Sequence, residues 1–120
     1  MQHVGIDIVE IPHFDKVIRR WDKYFLERVF TLTELKLYTN TRLLAECFAA
    51  KEAVLKVIGA CDQGNSWHEI EILIARDVKP IVNLTGNVKM EADESAISCI
   101  NVSIAHSEDY ALAFVIGETI

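Results

Sequence analysis

The sequence predicts a single α+β domain. One observation is residues 41–58, a stretch rich in Leu, Ala, Glu, Lys and Arg that contains no Gly or Pro and reads as a long helix. Another is a set of strand-type alternations near both ends of the chain, at 2–9, 99–105 and 110–116. The third is a length of 120 residues, below the ~150 expected per domain. Local helices and non-local strands on one small chain make the α+β class.

Each element follows from its own pattern. Residues 2–9 alternate, with Val4, Ile6 and Ile8 on one face and Gly5, Asp7 and Val9 on the other, so Asp7 stands opposite the most apolar side. Pro12 opens a helix in its first turn. Phe14, Val17, Ile18, Trp21 and Phe25 then give an apolar stripe. Lys16, Arg19, Arg20 and Lys23 give a separate basic stripe on that helix. Thr31-Leu-Thr-Glu34 has the form of a capping box and predicts a short helix to about Tyr38. Gly59 stands where the 41–58 helix must stop. A polar, turn-like stretch spans 60–66. Strands are predicted at 67–75 and 80–84 around a turn at Arg76–Lys79. A helix is expected at 86–96. Ser107–Asp109 supplies the turn between the last two strands.

Composition narrows the function classes. Hydrophobic residues make up 51% and charged residues 25%, with two Pro and five Gly, a globular balance. A chain of this size buries roughly two-thirds of its unfolded surface, enough for a core without staples. It is too short for a TIM barrel, which needs about 250 residues. The net charge of −6 argues against nucleic acid as a partner. That charge is uneven. Residues 1–60 hold nine of twelve basic and eight of eighteen acidic side chains, a net +1, whereas residues 61–120 carry −7. An acidic partner therefore meets only one part of the surface. Cys47, Cys61 and Cys99 form neither a disulfide framework nor a zinc spacing, and fit reduced thiols. No secretory signal or membrane-spanning run is present, so a cytoplasmic protein with no membrane partner is expected.

Several residues are placed to do chemistry. On the 41–59 helix, Ala45, Ala49, Glu52, Lys56 and Gly59 share one face. The small residues let a ligand approach, and the carboxylate and ammonium suit a metal-bound phosphate. The same Glu52 and Lys56 also fit a plain solvated i,i+4 pair. Asp7, in an apolar strand, calls for either a cation or exposure at a strand edge. His106, at the lip of its strand, suits either a phosphate contact near neutral pH or a hairpin hydrogen bond. His3, His13 and His68 have no metal-ligand spacing. No Gly-rich phosphate loop or nucleophile elbow is present.

Three segments, in order, carry a resemblance. They are Val4-Gly-Ile-Asp-Ile-Val-Glu-Ile11, Phe48-Ala-Ala-Lys-Glu-Ala-Val-Leu-Lys56 and Val102-Ser-Ile-Ala-His-Ser-Glu-Asp-Tyr-Ala111. Phe25–Thr31, Ser66-Trp67 to Ile72 and Lys79-Pro80 fit as well. The chain resembles, over its whole length, the holo-[acyl-carrier-protein] synthases, the small trimeric class of 4′-phosphopantetheinyl transferases. The resemblance implies one small domain, residues 1–120, with an antiparallel sheet packed against a long helix, assembled as a homotrimer with active sites between subunits. It implies Mg²⁺-dependent transfer of 4′-phosphopantetheine from coenzyme A to a serine of apo acyl carrier protein. Adenosine 3′,5′-bisphosphate leaves, and the product serves fatty-acid biosynthesis.

Carried over by position, Asp7 and Glu52 match the metal ligands. Lys56 matches the lysine on the transferring phosphate, and His106 the histidine near the pyrophosphate. Glu52, Lys56 and His106 form the catalytic set. Lys51, Lys56, Gly59 and His106 fall in the coenzyme A-binding positions, with Lys51 open between phosphate contact and ion pair. The stripe of Lys16, Arg19, Arg20 and Lys23, with Arg28 beside it, would face the acidic carrier. Trp67 and Phe114 fit subunit interface and core equally. The chain departs from the family pattern in three places: His13 stands where many members are basic, Cys47 where many carry Arg, and Gly59-Ala-Cys-Asp-Gln-Gly64 where a Gly-Thr-Gly-rich loop is typical. These departures motivate one alternative, a catalytically weak relative that binds carrier or coenzyme A without efficient transfer; a structural trimer without a ligand is a third reading.

Overall fold

The computed structural model describes residues 1–59, 67–74 and 78–119. β1 (Gln2–Glu10) leads into α1 (Ile11–Val29), α2 (Leu32–Leu37) and α3 (Thr41–Ile58). A 3₁₀ turn (Trp67–Glu69) opens β2 (Ile70–Leu73), and β3 (Ile81–Leu84), α4 (Gly86–Glu94), β4 (Ile97–His106) and β5 (Tyr110–Thr119) follow. β1, β5 and β4 form an antiparallel sheet in that order, and β2 with β3 forms a separate antiparallel pair. α3 packs across β1 and β5, which gives the α+β arrangement expected.

The first and last strands pair along their length, with Asp7 opposite Ala113 and Glu10 opposite Tyr110. The β4–β5 turn closes where Ser107 N–H donates to the Tyr110 carbonyl at 2.8 Å. Helix and sheet meet through small side chains. Ala45, Ala49, Ala50 and Ala53 on α3 and Ala111, Ala113 and Val115 on β5 are fully buried. Gly5 lets β1 touch the helix backbone, because a Cβ there would collide with the Ala53 carbonyl oxygen.

The sheet inverts the usual assignment of faces. The strongly apolar side of β1 is the open one: Val4 is 53%, Ile6 47% and Ile8 62% exposed. Tyr110, Leu112 and Phe114 of β5 are exposed in the same way. Gly5, Asp7 and Val9 instead face α3, where only small groups fit.

α1 begins as predicted, with Pro12 in its first turn, but it breaks at Asp22 (φ 47°, ψ −130°), a positive-φ conformation outside the helical region. Trp21, just before the break, is 53% exposed although its spacing matches the apolar stripe, and the Arg20 guanidinium lies over its ring at 5.6 Å. Phe25 still turns inward and meets Phe14 at 5.9 Å and Phe48 at 6.1 Å.

The capping box forms: Thr31 Oγ1 accepts from Glu34 N, and Thr31 N donates to Glu34 Oε1 at 2.8 Å. α3 is capped by the Asn40 side chain and ended by left-handed Gly59 (φ 80°). The strand expected at 67–75 starts only at Ile70, since 67–69 is a 3₁₀ turn. The predicted loop at 60–66 and residues 75–77 of the predicted strand and turn lie outside the described residues.

Candidate active site

Three of the residues singled out in the sequence converge. β1 turns the Asp7 side chain toward α3, from which Glu52 and Lys56 project one turn apart. Lys56 Nζ donates to Asp7 Oδ1 at 3.2 Å and to the Ile6 carbonyl at 2.8 Å. Burial pushes the Asp7 carboxyl above its usual range, and the Lys56 ammonium only partly opposes this. Glu52 is also pushed up, first by burial and then by the negative charge of Asp7. The indole N–H of Trp67 and the charge of Lys56 act in the opposite sense. That N–H is buried, and no group satisfies it in hydrogen-bond geometry.

Beside the pair lies a cleft of about 340 Å³ whose rim carries Asp7, Glu10, His13 and Glu52 and whose floor includes Phe14 and Phe48. The donor set fits a hard divalent cation. Two half-buried carboxylates on two rigid elements repel each other, and a cation between them removes that penalty. Among the described residues no group of three His, Cys, Asp or Glu side chains is arranged to hold a metal ion by itself.

Lys51 corrects one expectation. Its side chain is fully buried and its ammonium pairs with Glu34 at 2.8 Å. It also donates to the carbonyls of Trp67, at 2.9 Å, and of Ile70. Three donors meet three acceptors, so nothing remains for a phosphate. The ion-pair alternative is the one the structure shows. Cys47 lies in the same buried hub, its thiol donating to Glu34 Oε2 at 3.2 Å. Burial, and then the charge of Glu34, push that thiol well up.

His106 stands apart from the carboxylates of its own chain. It ends β4, two strands from β1, and faces the first turns of α3. Its Nδ1 lies 3.7 Å from Glu46 Oε1 and 3.4 Å from Arg42. Arg42 in turn pairs with Glu46 at 2.6 Å. Sequence reasoning missed Arg42 and Glu46, whose i,i+4 spacing was the available signal. It also missed the approach of Trp67 to Glu52, which no local pattern announces. Gly59 is exposed one turn past Lys56.

The basic stripe is exposed but divided. Lys16, Arg19 and Arg20 precede the break at Asp22 and Lys23 follows it, so the four do not share one continuous helix face. Arg19 is held by Asp15 at 2.8 Å, and Lys23 pairs with Glu27 at 3.6 Å.

Comparison with known proteins identifies the family. A profile of the 4′-phosphopantetheinyl transferase superfamily matches residues 3–115. A holo-[acyl-carrier-protein] synthase of Dehalococcoides mccartyi is 42% identical over 98% of this chain and 99% of its own length. The crystal structure of the Neisseria meningitidis holo-[acyl-carrier-protein] synthase superposes with a TM-score of 0.87 at 30% identity, covering 98% of each chain. The Helicobacter pylori synthase, solved in complex with coenzyme A, superposes with a TM-score of 0.81 at 30% identity, covering 96% of this chain and 99% of that one. The profile match over residues 3–115, the whole-length identity and the shared fold carry one conclusion: the chain belongs to the 4′-phosphopantetheinyl transferase superfamily, in its holo-[acyl-carrier-protein] synthase family.

Proposed function

We propose that this protein transfers 4′-phosphopantetheine from coenzyme A to a serine hydroxyl of apo acyl carrier protein and releases adenosine 3′,5′-bisphosphate. One observation carries the reading. Asp7 from a strand and Glu52 from a helix meet beside an ammonium, Lys56, at the mouth of an open cleft. Phosphoryl transfer needs positioning and charge neutralisation more than covalent help, and this arrangement offers both.

Asp7 and Glu52 would hold Mg²⁺, which when bound supplies neutralisation of the pyrophosphate charge. Lys56 now donates to Asp7, which puts its ammonium beside the position a transferring phosphate takes. From there it stabilises charge on the phosphate as the bond to the departing bisphosphate breaks. The acceptor serine must lose its proton. Glu52, whose affinity for a proton is raised, is one acceptor within the site, and solvent is the other. Gly59, which ends α3 one turn past Lys56, would leave room for the donor beside that lysine.

The open sheet face supports a homotrimer with active sites between subunits. Ile6, Ile8, Leu112 and Phe114 expose a contiguous apolar surface of the kind that marks an interface. His106 lines a cavity of about 430 Å³ together with Ile8, Tyr110 and Leu112, at the margin of that face. A neighbouring copy seated there would bring His106 toward the donor phosphates of the adjoining site. Sedimentation at three times the chain mass, lost in Ile6→Asp, is the expected result. A monomeric wild type overturns this part.

Lys16, Arg19 and Arg20 would dock the acidic carrier. No described helix is long and apolar enough to cross a membrane. We place the reaction in the cytoplasm, where coenzyme A and carrier meet.

The deciding experiment is incubation with apo acyl carrier protein, coenzyme A and Mg²⁺, followed by intact mass of the carrier, with an EDTA control. A metal-dependent gain of one phosphopantetheine arm is expected. No gain with several carriers, from a folded protein, overturns the transferase reading in favour of binding without transfer.

A further inference from the structure

Among the described residues, one buried side-chain polar atom lacks a hydrogen-bond partner: Trp67 Nε1. Its surroundings are otherwise fully paired, so the orphan calls for a reason. The residue is not loosely placed. Its carbonyl accepts from Lys51 Nζ at 2.9 Å, and its ring packs on Phe48 with centroids 5.8 Å apart. Phe48 precedes Glu52 by one helical turn, so the indole sits over the face of α3 from which Glu52 projects. An indole N–H donates only; it cannot ligate a cation or accept from a lysine. The group it approaches is the Glu52 carboxylate.

We propose that Trp67 is a positioning residue for the metal site: its Nε1 donates to one oxygen of Glu52 while the other oxygen faces the cation. Lys51, clamped between Glu34 and the Trp67 carbonyl, sets the height of the indole above the helix. A ligating carboxylate held by a donor from outside the metal shell loses rotational freedom, and such donors tune affinity. Adjacent residues of one motif thus work in opposite directions, Lys51 inward to fix the scaffold and Glu52 outward to the cleft. The inference rests on the metal role proposed for Asp7 and Glu52.

The test separates the two. Trp67→Phe keeps a ring on Phe48 and removes the N–H. Binding of Mn²⁺ in the presence of coenzyme A, read as loss of the free-ion electron paramagnetic resonance signal, should weaken on the order of 10–100-fold in the variant. The Mg²⁺ concentration for half-maximal transfer should rise by the same factor, with the carrier KM unchanged and kcat recovered at saturating metal. A purely structural role for the indole would move stability or carrier KM instead. Wild-type binding of Mn²⁺ matched by Trp67→Phe overturns the role of Trp67 and leaves the metal reading intact. Absence of Mn²⁺ binding in the wild type overturns both.

A second variant guards against a fold defect in the first. The chain has two tryptophans, so Trp21→Phe leaves Trp67 as the sole reporter. Its emission should shift when Mg²⁺ joins coenzyme A, and adding Glu52→Gln should abolish the shift. An emission indifferent to metal also overturns the proposal.

Discussion

The Glu34–Lys51 hub and the Asp7–Glu52–Lys56 cleft are built from the same groups, and the difference lies in what they leave unpaired. Both pair carboxylates with a lysine of the segment Lys51–Lys56. In the hub, Glu34 accepts from Lys51 and from the backbone N–H of Thr31 and Ile72, each at 2.8 Å, and from the Cys47 thiol at 3.2 Å. Four donors meet the roughly four lone-pair positions of a carboxylate. The hub thereby ties α2, α3 and β2 together. In the cleft, Asp7 leans on a Lys56 side chain that is 55% exposed. Glu52 faces a like charge and an indole N–H that no acceptor satisfies. Polar groups that hold the fold are complete within the chain, whereas those we assign to the ligand site are left short of partners.

The comparison breaks most sharply in activity. Glu52→Ala and Asp7→Ala should abolish Mg²⁺-dependent transfer, and Lys56→Ala should lower kcat on the order of 10²–10³-fold. All three should fold, as judged by circular dichroism and melting. A large loss of stability in Glu52→Ala would make cleft and hub alike and defeat the distinction. In the hub the expectation reverses. Lys51→Met leaves Glu34 buried without its counter-charge, a change that costs about 3–5 kcal/mol. Urea titration should show it as a lower midpoint at unchanged slope.

This contrast was only half legible in the sequence. The cleft could be read: Asp7 interrupts an apolar alternation, and Glu52 and Lys56 recur at i,i+4 on a helix with clear ends. The role of Lys51 could not, because its acceptors, Glu34 and the Trp67 and Ile70 carbonyls, come from distant parts of the chain. Periodicity grouped the residues of β1 correctly but did not say which face the helix covers. Here small residues face the helix and large ones face outward, against the habit that large apolar groups fill the core. Neither the break at Asp22 nor the exposure of Trp21 could be read from periodicity, because Trp21 shares the helical spacing of Phe14 and Phe25, which do turn inward. Thr31 and Glu34 were legible as a capping box, yet the second task of Glu34, neutralising Lys51, depends on tertiary contact alone.

A smaller effect sharpens the picture of the docking surface. Reversing Arg19 and Arg20 to Glu should raise the carrier KM on the order of tenfold at low salt, with the difference shrinking as salt screens the encounter. kcat should stay near wild type, because these side chains lie on α1, outside the carboxylate site. Lys23→Glu should do less, since Lys23 lies beyond the break and already pairs with Glu27. Equal effects at 20 and 23 would mean that the carrier spans the break.

The smallest effect concerns stability, and its sign tests the cleft directly. Burial and Asp7 raise the Glu52 carboxyl in the folded chain, so the folded state holds that proton more tightly than the unfolded state does. Ionising Glu52 therefore costs stability as pH rises from the unfolded value, about 4.3, through the raised one, and the full penalty remains at neutral pH. Glu52→Gln cannot ionise and also relieves Asp7 of a like charge. At pH 7.5 it should melt higher than wild type, by on the order of a few degrees, with the two curves converging toward pH 4. Adding Mg²⁺ with coenzyme A should raise the melting temperature of the wild type alone, because binding stabilises only a native state that retains the site. A Glu52→Gln protein that melts lower at pH 7.5 would mean the carboxylate is satisfied within the chain. It would then belong with Glu34 in the scaffold rather than with Asp7 in the cleft.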